Sequence, residues 1–242
     1  MRFSEQAVTL IGVALMLAGA TEFARASGPS FDCRKAQLPA EKAICADPKM
    51  SAIDVLITKA FGAFQPDFAD KRQIARSLVA DRNACQADAA CIVSAQNNAL
   101  ETYGTVPPWV QNYNLALIGK TALDFAARKP GQADQPLPTS IGKCSLTHIA
   151  TLTARIGDDP LATASPEAGS AATFTNGGTA VSYDREPGLV GAGVGDPVVM
   201  CLISIPRDCP QGDTRGRVYY AVDLAKKGSW ALPDSQHMCG GA

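Results

Sequence analysis

The chain has 242 residues, with 22 Lys and Arg against 23 Asp and Glu, and a formal net charge of −1. That balance excludes the basic footprint of a nucleic-acid-binding protein. The eight cysteines, an even number, point away from a reducing compartment and toward a disulfide framework.

The chain begins with an export signal. Residues Ala7–Ala20 are almost wholly apolar, and the run is shorter than the roughly 20 residues of a membrane-spanning helix. Ala24-Arg25-Ala26 follows as an A-x-A cleavage site. Residues 1–26 are therefore read as a signal peptide, with the mature chain starting at Ser27. No later stretch reaches spanning length, so no membrane span is expected after cleavage and the location is read as periplasmic or secreted.

Residues 27–104 read as a helical domain. Pro39 suits the first turn of a short helix over Ala40–Cys45. Ile53, Leu56, Ile57, Ala60, Phe61 and Phe64 recur at the spacing of one helical face, with Ser51 and Asp54 as the expected cap and Pro66 as the stop. A further helix is expected over Asp70–Arg82 with Ile74 and Leu78 inward. Another begins near Ala90, with Ile92, Ala95, Ala99 and Tyr103 along one side. Short connections between these helices imply antiparallel neighbours.

Residues 105–139 read as a linker that includes a helical stretch from Trp109 to Ala127, with Trp109, Leu117, Ile118 and Phe125 as anchors. Residues 140–242 read as a small antiparallel β-rich domain, a sandwich or barrel. The Asn176-Gly177-Gly178 turn joins two short strands as a hairpin. Pro197–Ile205 is a buried strand. Arg217–Leu224 alternates, and Lys227-Gly228 turns it back toward Trp230 and Leu232. The fold class expected is α+β: a disulfide-linked helical bundle followed by a β-rich unit.

Sequence leaves the pairing of Cys33, Cys45, Cys85 and Cys91 open between the two local bridges, Cys33–Cys45 with Cys85–Cys91, and either crossed set. For the second half, Cys201–Cys209 with Cys144–Cys239 forms one self-consistent pair, the latter fastening both ends of the β-rich unit.

The first half carries a recognisable pattern. Phe31-Asp32-Cys33, Pro39-x-Glu41-Lys42-x-Ile44-Cys45-x-Asp47-Pro48 and Asp54-x-Leu56, followed by Gln73, Leu78, Arg82, Cys85 and Cys91, resemble the lysozyme-inhibitor LprI-like family over roughly residues 31–103. Ser77 stands where that family commonly has an aromatic residue. Gln96 and Ala99-Leu100 stand where it commonly has Tyr and Arg-Ile. The resemblance implies an inhibitor that protects the cell wall and a lysozyme, or another envelope protein, as partner. It implies no catalysis and no cofactor. The other reading is an envelope binding module with neither inhibitory nor catalytic activity.

Candidate binding residues follow from chemistry. A lysozyme cleft depends on two carboxylates, so an inhibitor would present a basic or amide side chain. Arg34, Lys35 and Lys42 lie beside the first cysteine pair. The segment Pro206–Arg217 gathers Arg207, Asp213, Arg215 and Arg217 around Cys209, where a disulfide could hold a binding loop rigid. His148 and His237 are too few for a metal site, and no serine lies in a G-x-S-x-G context. A hydrolase in the second half ranks third.

Overall fold

Aspartates start the helices. In the computed structural model, which describes residues 28–128, 134–157 and 159–241, three helices open on an Asp side chain that accepts from the free backbone amides of the first turn. Asp47 caps α2 (Pro48–Ala63), Asp70 caps α3 (Lys71–Ala84) and Asp88 caps α4 (Ala89–Tyr103). Pro39 opens α1 (Pro39–Ala46), and Pro108 opens α5 (Pro108–Arg128). The signal peptide and residues 129–133 of the linker lie outside the described residues.

Two expectations need correction here. Ser51 and Asp54 do not cap α2, because Asp47 already holds the amides of Lys49 and Met50. Ser51 instead donates to the Ile44 carbonyl across the α1–α2 corner at 2.7 Å, and Asp54 is buried. Trp109 does not anchor α5. It is exposed, and the inward row is Val110, Asn114, Ile118 and Ala122, at successive spacings of four.

The second half is one antiparallel sheet of six strands: β1 (Cys144–Thr153), β2 (Ser170–Phe174), β3 (Thr179–Ser182), β4 (Pro197–Ser204), β5 (Val218–Asp223) and β6 (Ser229–Pro233). Their order across the sheet is β3-β2-β1-β4-β5-β6. A short helix, α6 (Pro187–Val190), lies between β3 and β4. The sheet curls until its edge strands meet: Thr179 Oγ1 donates to the Asp234 carbonyl, and the Tyr183 hydroxyl donates to the Gln236 carbonyl at 2.9 Å. Of the two forms expected, this is the barrel-like one.

Inside the curl lie Ile149, Phe174, Met200, Leu202, Tyr219 and Trp230. The opposite face of the central strands offers Leu146, Val199, Cys201, Ile203 and Val222, which pack on Ile118 and Ala122 of α5 and on Ala90 of α4. β4 is thus covered on both faces, which explains its continuous apolar run. The helical and β-rich halves share this second core.

Four disulfides form. Cys33–Cys45 and Cys85–Cys91 are the local pair among the alternatives left open. The expected Cys201–Cys209 and Cys144–Cys239 bridges are replaced by Cys144–Cys201 and Cys209–Cys239. The reason is register: Cys144 in β1 stands directly opposite Cys201 in β4, so Cys209 is left for the C-terminal tail.

Non-reducing peptide mapping should recover the Cys144–Cys201 and Cys209–Cys239 links. Cys144–Cys201 spans 57 residues and Cys85–Cys91 only 6. By loop entropy, removing the first should cost about 4 kcal/mol and the second about 2 kcal/mol in urea unfolding.

Candidate functional site

Bridge Cys33–Cys45 closes a short segment that carries a single 3-10 turn, Cys33–Lys35, and most of α1. Arg34 and Lys35 sit on that turn and Lys42 on α1, and all three are exposed. Arg34 forks onto Asp32, with its Nε and Nη2 each 3.0 Å from a carboxylate oxygen. Its guanidinium holds the Asp32 carboxyl below the usual range. The Arg34 side chain is 91% exposed, so this pair is worth little.

The stapled segment is hung on a buried carboxylate. Asp54 Oδ2 accepts from the backbone and hydroxyl of Ser30, at 2.8 and 2.5 Å. Its other oxygen lies 3.6 Å from Arg82, and the two side chains are only 8% and 15% exposed. Asp54, Arg82 and Leu56 all belong to the motif read in the sequence.

The same Asp54–Arg82 pair forms one end of a groove of about 180 Å³ between α2, α3 and α4. Its walls are Ile57, Phe61, Leu78, Ala99 and Tyr103. Gln96 also lines it. This side chain is 1% exposed and donates from Nε2 to the Met50 carbonyl at 3.0 Å, while its Oε1 has no hydrogen-bond partner among the described residues. Ala99 is small, which leaves room in the groove.

The charged loop between β4 and β5 has a different role. Arg207 pairs with Asp81 of α3, whose pKa burial raises against the pull of the guanidinium. Asp208 accepts from the amides of Asp67, Phe68 and Ala69 at 2.7, 2.8 and 3.2 Å, ahead of α3. Asp213 is forked by Arg215 and bonded by the Gly240 amide, and these hold its carboxyl well below the ordinary range. Arg217 lies beside Tyr219. The loop is thus bonded to the helical half, to itself and to the tail through Cys209–Cys239. The structure does not bring Arg207, Asp213, Arg215 and Arg217 together with Arg34, Lys35 and Lys42 in any contact among the described residues.

His148 Nδ1 meets Asp134 Oδ1 at 2.7 Å on the surface, and His237 lies exposed in the tail. Sequence reasoning missed Asp54, Arg82 and Gln96 as site residues. The signal available was a charged or amide residue on an otherwise inward helical face.

No family model matches the chain, and neither characterised proteins nor solved structures give a match.

Replacing Arg82 with Met should leave Asp54 unpaired and lower stability by about 3 kcal/mol in urea unfolding. Asp208→Ala should hand three largely exposed amides to water, cost about 1 kcal/mol, and speed hydrogen exchange at residues 67–69 selectively.

Proposed function

We propose that the protein is an exported envelope protein of the lysozyme-inhibitor type, and that it acts by binding. Four disulfides fit an oxidising compartment outside the cytoplasm. No helix among the described residues is long and apolar enough to cross a membrane.

One observation carries the reading. Arg34, Lys35 and Lys42 stand exposed on a single disulfide-closed segment, Arg34 in a surface pair with Asp32, whereas the Arg207 and Arg215 pairs with Asp81 and Asp213 are less exposed. A rigid cationic edge suits a cleft that works through two carboxylates, because the staple lowers the entropy lost on docking. Complementary charge would also speed the encounter and make it salt-sensitive. In this reading the protein does no chemistry of its own.

The second reading, a binding module without inhibitory action, rests on the largely apolar groove between α2, α3 and α4. It requires a partner whose capture leaves lysozyme activity untouched.

The test is a titration of the oxidised mature chain into lysozyme acting on cell-wall substrate. Inhibition should saturate near one-to-one. It should weaken about ten-fold or more when Arg34 and Lys35 are both replaced by Glu, because a buried charge contact is worth a few kcal/mol. Replacing Arg215 by Glu should leave it unchanged. A lack of inhibition across several lysozymes would move the binding-module reading to first place.

A further inference from the structure

The groove between α2, α3 and α4 differs in charge from one end to the other. Its middle is apolar, walled by Ile57 and Phe61 of α2, Ala75, Leu78 and Val79 of α3, and Ala99 of α4. Its volume is about 180 Å³. A cavity of about 150 Å³ holds a benzene-sized group, so this one takes a single ring or a chain of about six carbons. At one end Arg82 faces Asp54, and the two charges offset each other. At the other end stands Lys71. Lys71, Ala75, Leu78 and Arg82 recur at the spacing of one helical face, which puts Lys71 on the groove side of α3. Its ammonium lies 4.6 Å from the centre of the Phe61 ring, and that ring packs edge-on against Tyr103 at 5.6 Å. The ammonium donates to the Gly62 carbonyl at 3.3 Å and belongs to no ion pair among the described residues. Asp70, beside it in sequence, is turned to the Gln73 amide. Lys71 also opens the first turn of α3, where a positive charge opposes the helix dipole. The fold therefore draws no electrostatic benefit from a cation at this position.

We infer that this groove binds a carboxylic acid with an apolar tail, of the fatty-acid type, with the tail along Ile57, Leu78 and Ala99 and the carboxylate at Lys71. Seating the tail removes apolar surface of both partners from water, and this supplies most of the affinity. The head meets an accessible ammonium that has no carboxylate of its own, and this sets the direction of the chain. The reverse direction is disfavoured, because Asp54 lines the far end and repels a second carboxylate there. A cationic head finds no better place. Lys71 repels it at one end, and Asp54 is already bonded by Ser30 and faced by Arg82 at the other. This assignment deepens the second reading above and rests on the same groove; it asks nothing of lysozyme inhibition.

The experiment is a calorimetric and NMR titration of the oxidised mature protein, at low salt, with four probes: octanoate, 1-octanol, octyltrimethylammonium and acetate. Octanoate should saturate a single site, with shift changes centred on the methyl groups of Ile57 and Leu78. It should bind about five-fold more tightly than octanol, and added salt should shrink that advantage, because the head meets a solvent-exposed cation. Octyltrimethylammonium should bind more weakly than octanol, and acetate should not saturate. Lys71→Gln should bring octanoate down to the affinity of octanol and leave octanol unchanged. Ala75→Phe fills the groove from its half-exposed rim and should remove binding of both. The inference is overturned if octanoate does not saturate, if octanol or octyltrimethylammonium binds as tightly as octanoate, or if the folded variants bind octanoate like the parent chain. Such a result strikes out this ligand alone, whereas the binding-module reading falls if the lysozyme titration shows inhibition.

Discussion

Everything in this molecule is arranged around a helix with no free face. From Ala90 to Leu100, every residue of α4 is buried, and four of those residues are Ser94, Gln96, Asn97 and Asn98. A buried polar side chain must find a partner or destabilise the fold. Each of the four reaches in a different direction. Gln96 donates to the Met50 carbonyl in α2, and the Ser94 hydroxyl donates to Asn114 in α5 at 2.7 Å. Asn98 receives the end of β4, and Asn97 turns along its own helix to Glu101. The apolar side chains of α4 fill the remaining space, with Ile92, Val93 and Leu100 in the helical core. The polar contacts add direction to that packing, because hydrogen bonds fix register where apolar contacts tolerate sliding.

That arrangement accounts for where binding surfaces are found. Each of its three buried amide side chains makes one of these bonds and leaves one atom, Gln96 Oε1, Asn97 Oδ1 or Asn98 Nδ2, without a hydrogen-bond partner among the described residues, while Gln96 and Asn98 stand behind two cavities. The cationic edge depends on the same layer at one remove. It is held through Ser30 on Asp54, which pairs with Arg82 in α3, and α3 packs on α4 through Ile74, Leu78 and Ala99. Rigidity beneath an exposed edge reduces what a partner must order on docking.

Much of this was legible in the sequence. The start of α1 and the end of α2 are legible because Pro39 and Pro66 are local signals, as is the hairpin at Asn176-Gly177-Gly178, whereas the start of α2 at Pro48 is not what the Ser51 and Asp54 spacing suggests. β1 was not foreseen. Its Ser, Thr and His residues mask the apolar pattern, and an irregularity between Ile149 and Thr151 breaks its alternation. Missing β1 also meant missing the partner of Cys201, so the second pair of bridges was assigned wrongly. The cationic residues near Cys33 could be named from composition. The role of the 206–217 loop could not, because its partners Asp81 and the amides of residues 67–69 lie more than a hundred residues away in sequence. Long-range pairing of this kind leaves no local periodicity to read.

The central claim is that α4 joins the helices and the curled sheet into one unit. Native-state hydrogen exchange tests it most directly, by comparing the slowest amides of α2 with those of β4. One cooperative unit predicts that both sets open with the same free energy and the same denaturant dependence, and that both shift together when Asn98 is replaced by Ala. Two separate opening free energies, with the sheet unaffected by changes in α4, would contradict the account.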